Sequence, residues 1–451
     1  MMLEPTPSLM RRFFILFLMV FMLVTVAAVF TSQLQAQPNN PDRPHLTATP
    51  SATPNLTSPL TVTVTTTPTV TITPTVTITP TATPTGTQIS KLHLPVVLYT
   101  SALTSLPAPI RITADPPIDF ETARALAQAR GRDIAFNKIG FHVGVGGNRE
   151  GLIESITALD AAGVPVFLKT VNDAEPIYKT QELMKISGVP HVLVYRDVDG
   201  GIHESDYNLP PEQVAVDNWQ FNQDKFPPEL DPTLVWQETI NEPSNNRAAW
   251  LAEFSLAQAK LAVSAGYKYA AFGWSSGEPE IGSWELPEML EFLRYAGEYP
   301  DNVAVAVHEY SFQSDYIASG DIPYPWTVGR FQKLFAVCDE HNIPRPTVLI
   351  TEWGWEYDNI PGDGKGDVYI DEAMEDVEWA SWLYAAYPQV KGAAIWYLGE
   401  GVQFGSIHDQ AQKLIAPVHD FSMSNYFVIH PGQFPIDESM FVPDPPTAIQ
   451  R

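Results

Sequence analysis

From about residue 116 onward, short apolar and β-branched runs alternate with longer segments in which apolar residues recur at helical spacing. The apolar character of the short runs is nearly continuous, as is typical of strands that are buried on both faces. The predicted strands are Ile139–Val143, Val164–Thr170, His191–Tyr195, Thr233–Ile240, Tyr267–Gly273, Asn302–Tyr310, Thr347–Glu352 and Gly392–Tyr397. The predicted helices between them include Glu150–Ala162, Ala248–Ala265, Leu286–Gly297, Val328–His341 and Asp371–Tyr387.

This alternation predicts an α/β fold, a (β/α)8 TIM barrel that spans residues 116–428. Eight strands with interleaved helices over roughly 310 residues fit the usual size of such a barrel. The main alternative is an open doubly wound sheet. The glycine-rich segment 144–147 has no phosphate-binding Lys-Ser/Thr after it, and no Gly-x-Gly-x-x-Gly turn follows the first strand. A nucleotide-binding sheet is therefore disfavoured.

The N-terminal segment carries a targeting signal. Arg11 and Arg12 precede an apolar run from Phe13 to Phe30, and Leu34-Gln35-Ala36 offers a cleavage site. A basic region followed by an apolar region is typical of a signal peptide, and this run is also long enough to span a bilayer. Residues 1–37 are therefore predicted to be a removed signal peptide or a retained membrane anchor. Both alternatives predict export, to the extracellular space or the cell surface, with the basic end left inside.

A Thr/Pro-rich tract follows the targeting segment over residues 38–90, and Thr-Ile-Thr-Pro recurs within it. Frequent proline disfavours sheet and helix, so we expect a disordered, extended linker. Such a composition is typical of an O-glycosylated stalk that would tether a folded head to a membrane or cell wall. Residues 91–115 are predicted to be a lead-in segment, and residues 429–451 a Pro- and Asp-containing C-terminal tail to which no function is assigned.

The charge balance narrows the range of partners. The chain has 26 Lys and Arg residues against 52 Asp and Glu residues, which gives a formal net charge of −26. This field repels nucleic acid and anionic membrane surfaces, so no nucleic-acid partner is predicted. Cys338 is the sole cysteine, which excludes an intrachain disulfide. Because Cys338 lies on the apolar face of a predicted helix, we expect a core residue rather than a nucleophile.

Candidate chemistry concentrates at the C-terminal ends of the predicted strands, where barrel enzymes carry their active sites. Polar and aromatic residues at these ends are His142, Lys169, Tyr195, Arg196, Asn241, Glu242, Trp274, His308, Tyr310, Glu352, Trp353 and Trp396. The opposite ends carry few such residues. This asymmetry predicts an active site at one face of the barrel.

Two glutamates stand out within this set. Asn241-Glu242-Pro243 by itself is typical of a helix start, but Glu242 and Glu352 also follow predicted strands four and seven. Such a carboxylate pair can break a glycosidic bond with retention when its members stand about 5 Å apart. One member of such a pair must be ionised to attack the sugar. The other must hold a proton near neutral pH, which needs a pKa raised by burial and by a nearby negative charge.

Over residues 116–427, the chain resembles glycoside hydrolase clan A, as a family 5-like or family 39-like retaining glycosidase. The motifs that carry the resemblance are Asn241-Glu242 after strand four, His308-Glu309-Tyr310 at strand six, Ile350-Thr351-Glu352-Trp353-Gly354 at strand seven and Trp396 at strand eight. One departure is the lack of the arginine that family 5 members keep near strand two. Lys169 and Arg196 are the candidates to replace it.

The resemblance implies roles for these residues. Glu242 would be the acid/base, with a raised pKa, and Glu352 the ionised nucleophile. Asn241 would bond the 2-hydroxyl of the sugar. The residues predicted to bind substrate or to position the site are Asn241, His308, Tyr310, Trp396, Trp274, Trp353 and His142. Core packing is the alternative role for the tryptophans, and a structural role is the alternative for His308. By strand alternation Glu309 should face the helices, although a register shifted by one residue would make it a rival acid.

The sequence therefore predicts an exported, monomeric retaining glycoside hydrolase that cleaves a β-linked polysaccharide or oligosaccharide. No metal or cofactor is predicted, because Asp358, Asp363 and Asp367 lack the spacing of a calcium loop. A non-catalytic glycan-binding surface protein and a transglycosylase remain as alternatives. The sequence leaves open the sugar, its linkage and the choice between endo and exo attack.

Overall fold

A computed structural model describes residues 109–113, 119–198, 206–311, 317, 323–355, 360–362, 367–400 and 407–429. The predicted targeting segment (1–37), the predicted stalk (38–90), most of the lead-in segment and the tail beyond residue 429 lie outside the described residues. No helix in the described part of the chain has the length and apolar character needed to cross a membrane.

A closed barrel of eight strands forms the centre of the fold. Its strands are β3 (Ile139–Val143), β4 (Phe167–Val171), β5 (Val192–Arg196), β6 (Val235–Glu238), β7 (Lys268–Trp274), β8 (Val303–Tyr310), β9 (Thr347–Gly354) and β10 (Val390–Ile395). Each strand is parallel to its neighbours in chain order, and β10 pairs with β3 to close the ring. Every predicted strand overlaps one of these, so the predicted (β/α)8 barrel is confirmed and the open sheet is excluded.

Helices precede, connect and follow the barrel strands along the chain. Their bounds are α1 (Phe120–Gln128), α2 (Leu152–Ala161), α3 (Glu175–Ser187), α4 (Pro211–Lys225), α5 (Ala248–Ala265), α6 (Pro287–Glu298), α7 (Pro323–Trp326), α8 (Phe331–Glu340), α9 (Ile370–Ala385), α10 (Ile407–Gln412) and α11 (Ile415–Ser424). Proline occupies the first turn of α3, α4 and α6, where its missing N–H removes no helical hydrogen bond. Cys338 is fully buried in α8, and burial raises its pKa to about 12, which confirms the predicted core role.

A second, small sheet joins the two ends of the described chain. Strands β1 (Ile110–Thr113) and β2 (Asp133–Ala135) both pair antiparallel with β11 (Asn425–Ile429), which lies between them. Phe427 of β11 is fully buried. Residues 110–113 of the lead-in segment and the end of the predicted barrel domain therefore lie in one sheet.

An apolar layer fills the barrel interior and supports the site. Its members are Phe167, Val194, Trp236, Ala270, Ala304, Ala306, Leu349 and Ala394, all buried. The four alanines leave room for the large rings of Phe167 and Trp236. A Cβ at Gly140 would lie 1.8 Å from the Phe167 carbonyl oxygen, so this close approach requires glycine.

Side chains alternate between the two faces of a strand, so the residue two positions further along points to the same side. Two positions beyond members of the apolar layer stand Lys169, Arg196, Glu238, His308, Thr351 and Trp396. The barrel thus changes from an apolar to a polar interior within one layer, towards the C-terminal ends of its strands.

Candidate active site

Glu352 reaches the barrel interior because of a local irregularity between β8 and β9. Leu349 faces inward, so strict alternation would turn Glu352 towards the helices. A register shift follows the Val307–Ile350 pair, and His308 is then paired with Glu352. Such β-bulges re-aim side chains, and this one brings Glu352 beside His308.

Two donors hold the Glu352 carboxylate on its opposite oxygens. Tyr310 Oη donates to Oε2 at 2.7 Å, and Arg196 Nη2 donates to Oε1 at 3.4 Å. The Glu352 side chain is 9% exposed. It is therefore largely shielded from bulk water and oriented by groups on two other strands.

Glu242 lies just beyond β6 in a conformation that is unusual for a side-chain-bearing residue. Its φ is 45°, in the left-handed region that non-glycine residues seldom adopt. A hydrogen bond of 2.8 Å from its backbone N–H to the Gly273 carbonyl holds it there. The helix α5 begins only at Ala248, after a short 3₁₀ turn at Asn245–Arg247. Asn241-Glu242-Pro243 is thus a bent strand exit and not the start of a helix.

His308 joins the two glutamates. Its Nδ1 lies 3.0 Å from Glu242 Oε1 and 3.4 Å from Glu352 Oε2. One side-chain ligand atom from each of these three residues lies within 4.8 Å of the other two. The two carboxylates are therefore close enough for double displacement at a sugar, which uses carboxyl groups about 5 Å apart.

Arg196 extends this network to Asn241. Its Nη1 donates to Asn241 Oδ1 and, at 3.2 Å, to Glu238 Oε2. Because a guanidinium only donates, this contact assigns the Asn241 amide, with Nδ2 left as its donor group. Arg196 lies at the end of the third barrel strand and contacts Glu352, whereas Lys169 contacts Glu238. Of the two candidates Lys169 and Arg196, it is therefore Arg196 that lies beside Glu352.

Charges beneath the pair stabilise one another. Burial by itself raises the pKa of Glu238, but Lys169 and Arg196 outweigh it and lower this pKa to about 2. Burial lowers the pKa of Lys169 to about 8, against the opposing effect of Glu238. Burial, with the charges of Lys169 and Arg196, holds the pKa of His142 well below its usual value. His142, whose Nδ1 is 3.9 Å from Glu352 Oε1, is therefore neutral near pH 7.

The electrostatics of Glu242 correct the expectation of a raised pKa. Burial does raise its pKa, yet the hydrogen bond and charge of His308, a hydrogen bond from Ser275 and the charge of Arg196 together lower it. The Glu242 side chain is 32% exposed, so the burial that was expected is incomplete. In the free protein Glu242 is an ionised carboxylate near neutral pH.

The aromatic candidates fall into two groups. Trp396 is 8% exposed, stacks on Tyr397 with ring centroids 4.7 Å apart and meets Tyr310 edge-on. Trp274 and Trp353 have no exposed surface and belong to the main core cluster. In this structure neither of these two rings presents a face to a ligand, in contrast to the sequence expectation.

Glu309 points away from the site, as strand alternation predicts. Its Oε2 accepts from the Gly329 N–H at 2.9 Å and from Tyr384 Oη at 2.7 Å, on the helical side of β8. Burial raises its pKa to about 7. The shifted register that would have made Glu309 a rival acid is thereby excluded.

One group of described residues has the spacing of metal ligands. Glu242, His308 and Glu352 are close enough to share one ion. Both Glu352 oxygens also accept hydrogen bonds from Tyr310 and Arg196.

Sequence reasoning missed Glu238 and Thr351, which lie in the polar layer. Thr351 Oγ1 donates to Glu238 Oε1 at 2.8 Å. A signal for Glu238 was available, since it stands two positions after the apolar Trp236 and so shares its face of the strand. An acid on the inward face of such a strand needs buried cations, and Lys169 and Arg196 supply them.

Comparisons with known proteins give distant structural matches. No protein-family model matches the chain, and no curated protein matches it. An endo-β-1,4-glucanase from Xanthomonas axonopodis pv. citri is 12% identical, with 64% of this chain and 99% of that chain covered and a TM-score of 0.36. A GH5 xyloglucanase from Bacteroides ovatus is 12% identical, with coverages of 70% and 80% and a TM-score of 0.34.

The tri-modular endo-β-1,4-glucanase B from Bacillus halodurans is 13% identical, with 63% of this chain and 60% of that chain covered and a TM-score of 0.37. Likeness at this level does not identify a substrate or an activity.

Proposed function

We propose that this protein is a retaining glycoside hydrolase that acts on a β-linked polysaccharide or oligosaccharide. The observation that carries the proposal is the approach of Glu242 and Glu352: an oxygen of each lies within 4.8 Å of the other, and His308 Nδ1 contacts both carboxylates. Two carboxyl groups about 5 Å apart permit double displacement with retention of configuration. The protein carries both groups at the C-terminal ends of barrel strands, where such sites are built.

In the first half-reaction, a Glu352 oxygen attacks the anomeric carbon. The bond from this carbon to the leaving oxygen breaks, its electron pair stays with that oxygen, and Glu242 gives the oxygen a proton. Tyr310 and Arg196 hold Glu352 in line for the attack. The Asn241 Nδ2 group is left to donate to a sugar hydroxyl, an interaction that can strengthen in the transition state.

Substrate binding favours the protonated form of Glu242, which the first half-reaction needs. The free protein keeps Glu242 ionised, but burial is already the largest single influence on its pKa and acts upwards. A leaving group that covers the exposed part of this side chain increases desolvation, which favours the neutral acid.

In the second half-reaction, a water molecule replaces the leaving group. Glu242 is left as a carboxylate by the first half-reaction, and the loss of the negative charge of Glu352 on esterification lowers the pKa of Glu242 and favours this ionised form. The Glu242 carboxylate then takes a proton from water as the water oxygen attacks the anomeric carbon. The ester bond to Glu352 breaks, which returns its carboxylate and releases the sugar.

The test replaces Glu352 with alanine. Turnover of 4-nitrophenyl β-glycosides, chosen from a panel of glucosides, xylosides, mannosides and cellobiosides, should fall by about 10⁴-fold or more. Azide should restore activity and give the glycosyl azide of opposite anomeric configuration. A rate close to that of the unmodified protein would exclude Glu352 as the nucleophile.

The matched control is Glu309→Gln, which removes a buried carboxylate that faces the helices. It should leave turnover nearly unchanged. Analysis of the products from soluble β-linked polysaccharides separates hydrolysis from transfer to a sugar acceptor. Glycan binding without any released or transferred sugar would instead favour a binding protein.

We also propose that the protein is exported. The basic and apolar N-terminal segment and the Thr/Pro-rich tract support an exported head, held on a stalk at the cell surface or released outside it. N-terminal sequencing of the mature protein and cell fractionation distinguish the two cases. Recovery of the unprocessed chain in the cytoplasm alone would contradict export.

A further inference from the structure

We propose that Glu238 is a positioning residue of the catalytic pair, which acts through Arg196 on Asn241 and on Glu352. This inference rests on the proposed glycosidase function. Glu238 has no exposed surface and lies in the polar layer that begins just above the apolar barrel interior. It does not reach the mouth of the site, so its effect on a substrate must pass through other side chains.

Three strands hold the Glu238 carboxylate in place. Oε2 accepts from Lys169 Nζ on β4 and from Arg196 Nη1 on β5 at 3.2 Å. Oε1 accepts from Thr351 Oγ1 on β9 at 2.8 Å. A Cβ at Gly273 would lie 3.1 Å from Oε1, so the backbone of β7 closes the remaining side. Glu238 is thus a fixed anion with little freedom to move.

Arg196 stands between this fixed anion and the reacting groups. Its Nη1 is shared by Glu238 and Asn241, and its Nη2 reaches Glu352 at a long 3.4 Å. The attraction between Nη1 and the Glu238 carboxylate holds the guanidinium back from Glu352, so the distance from Nη2 to Glu352 stays long. The same arrangement keeps Nη1 on Asn241 and thereby fixes the amide.

Loss of the Glu238 charge changes this balance. Arg196 would then be free to close on Glu352 as a short, two-bond pair, which is a strong form of carboxylate contact. Such a pair stabilises the negative charge that must attack the sugar, so Glu352 becomes a weaker nucleophile. Nη1 would also leave Asn241, and its amide would lose its fixed orientation.

The alternative role for Glu238 is to neutralise a buried lysine. Lys169 is fully buried, and Glu238 neutralises it. The other charged or titratable groups that influence Glu238 are Arg196 and His308. If charge neutralisation of Lys169 were the whole role, Glu238 would affect folding stability and leave the reacting groups alone.

The variant Glu238→Gln keeps the shape of the side chain and removes its charge. The amide oxygen can still accept from Lys169 and Arg196, and the Thr351 hydroxyl can rotate to accept from the amide nitrogen. We expect kcat/KM on the 4-nitrophenyl β-glycoside that the unmodified protein hydrolyses best to fall by about 10- to 100-fold, in line with a small misplacement of catalytic groups.

Two comparisons separate positioning from stability. Arg196→Lys keeps a cation but cannot serve three acceptors with one planar fork. If Glu238 acts through Arg196, adding Glu238→Gln to Arg196→Lys should cause little further loss of rate. Adding Lys169→Met to Glu238→Gln removes both buried charges, and this pair should recover the melting temperature but not the rate.

A fluorinated probe tests the route through Asn241. The 2-deoxy-2-fluoro counterpart of the same glycoside lacks the 2-hydroxyl that Asn241 is proposed to bond. The rate at which it labels Glu352 should therefore fall less in Glu238→Gln than the rate on the hydroxylated substrate. Should Glu238→Gln fail to fold, Glu238→Asp, which keeps the charge but withdraws it from Arg196, gives the same comparison.

The outcomes are distinct. Three outcomes would overturn this inference and leave the proposed function standing. They are an unaltered rate in folded Glu238→Gln, equal losses on the two substrates, and a rate that recovers together with the melting temperature in the double variant. If the unmodified protein neither hydrolyses the panel nor becomes labelled at Glu352, the proposed function fails and this inference fails with it.

Discussion

At Glu352, a single phenol sets the direction of one carboxylate oxygen. Tyr310 donates to Oε2 at 2.7 Å from the end of the neighbouring strand, while Arg196 takes the other oxygen. A hydrogen bond to a charged group contributes more than one between neutral groups. The orientation of the proposed nucleophile therefore depends on individual side chains that the barrel brings together.

Replacing Tyr310 with phenylalanine should lower kcat/KM by about 10- to 100-fold, because a hydrogen bond to a charged group is worth roughly 1.5–3 kcal/mol. Steady-state kinetics on the preferred aryl glycoside measures the change. Tyr384→Phe is the matched control, since the Tyr384 hydroxyl bonds Glu309 on the helical side of β8. Equal losses in the two variants would show a general effect of losing a buried hydroxyl.

The pKa of Glu242 gives a second prediction at this scale. Because His308 and Arg196 hold this pKa below its usual value in the free protein, the protonated acid is lost as pH rises through the acidic range. The basic limb of kcat/KM, which reports the free enzyme, should therefore lie at acidic pH. The basic limb of kcat should lie higher, since bound substrate desolvates Glu242.

His308→Ala removes the hydrogen bond and the charge that lower the Glu242 pKa, so the basic limb of kcat/KM should move upward in this variant. Full pH profiles of both kinetic parameters check the prediction. A basic limb that lies at the same pH for kcat/KM and kcat would contradict the role given to substrate desolvation.

At the scale of elements, strand β8 divides its side chains between two environments. His308 points into the barrel, whereas the next residue, Glu309, bonds the Gly329 N–H and Tyr384 near helices α8 and α9. Alternation predicted this division from the sequence alone. The register shift against β9, which brings Glu352 inward, was not predictable because it depends on the pairing of two strands.

The buried Glu309 should make stability depend on pH. Its pKa is raised from 4.5 to about 7, so the folded state keeps a proton that the unfolded state releases between these values. Stability contributed by this group is therefore present below about pH 4.5 and declines as pH rises to about 7, by about 3 kcal/mol. Urea titrations of the unmodified protein and of Glu309→Gln measure this, and the difference between them should change over that range. A constant difference would refute it.

At the scale of the whole molecule, the small antiparallel sheet connects distant parts of the chain. Phe427 of β11 is fully buried and packs in a cluster with Ala135, Ala385 and Phe421. Strand β11 pairs with β1 on one side and β2 on the other. Packing of this sheet therefore contributes to the stability of the folded head without contact with the proposed site.

Phe427→Ala should lower the free energy of unfolding by about 3–5 kcal/mol, because it leaves a cavity in a closed cluster. Chemical denaturation measures the loss, and kcat at a temperature where the variant is folded should stay close to that of the unmodified protein. Tyr178→Ala, on the exposed surface of α3, should change stability by no more than about 0.5 kcal/mol. Similar losses in the two variants would contradict a buried structural role for Phe427.

The sequence alone determined the features that follow from local pattern. Near-continuous apolar runs identified all eight barrel strands, and their parallel order placed Asn241, Glu242, His308, Tyr310 and Glu352 at one face. These features were predictable because the period of a strand and the position of its C-terminal end are properties of neighbouring residues.

Only the tertiary structure decided the features that depend on contacts between distant segments. It assigned Arg196 to Glu352, revealed Glu238 beneath them, buried Trp274 fully and lowered the pKa of Glu242. A pKa and a buried surface sum the effects of groups that are far apart in sequence, so no local pattern specifies them.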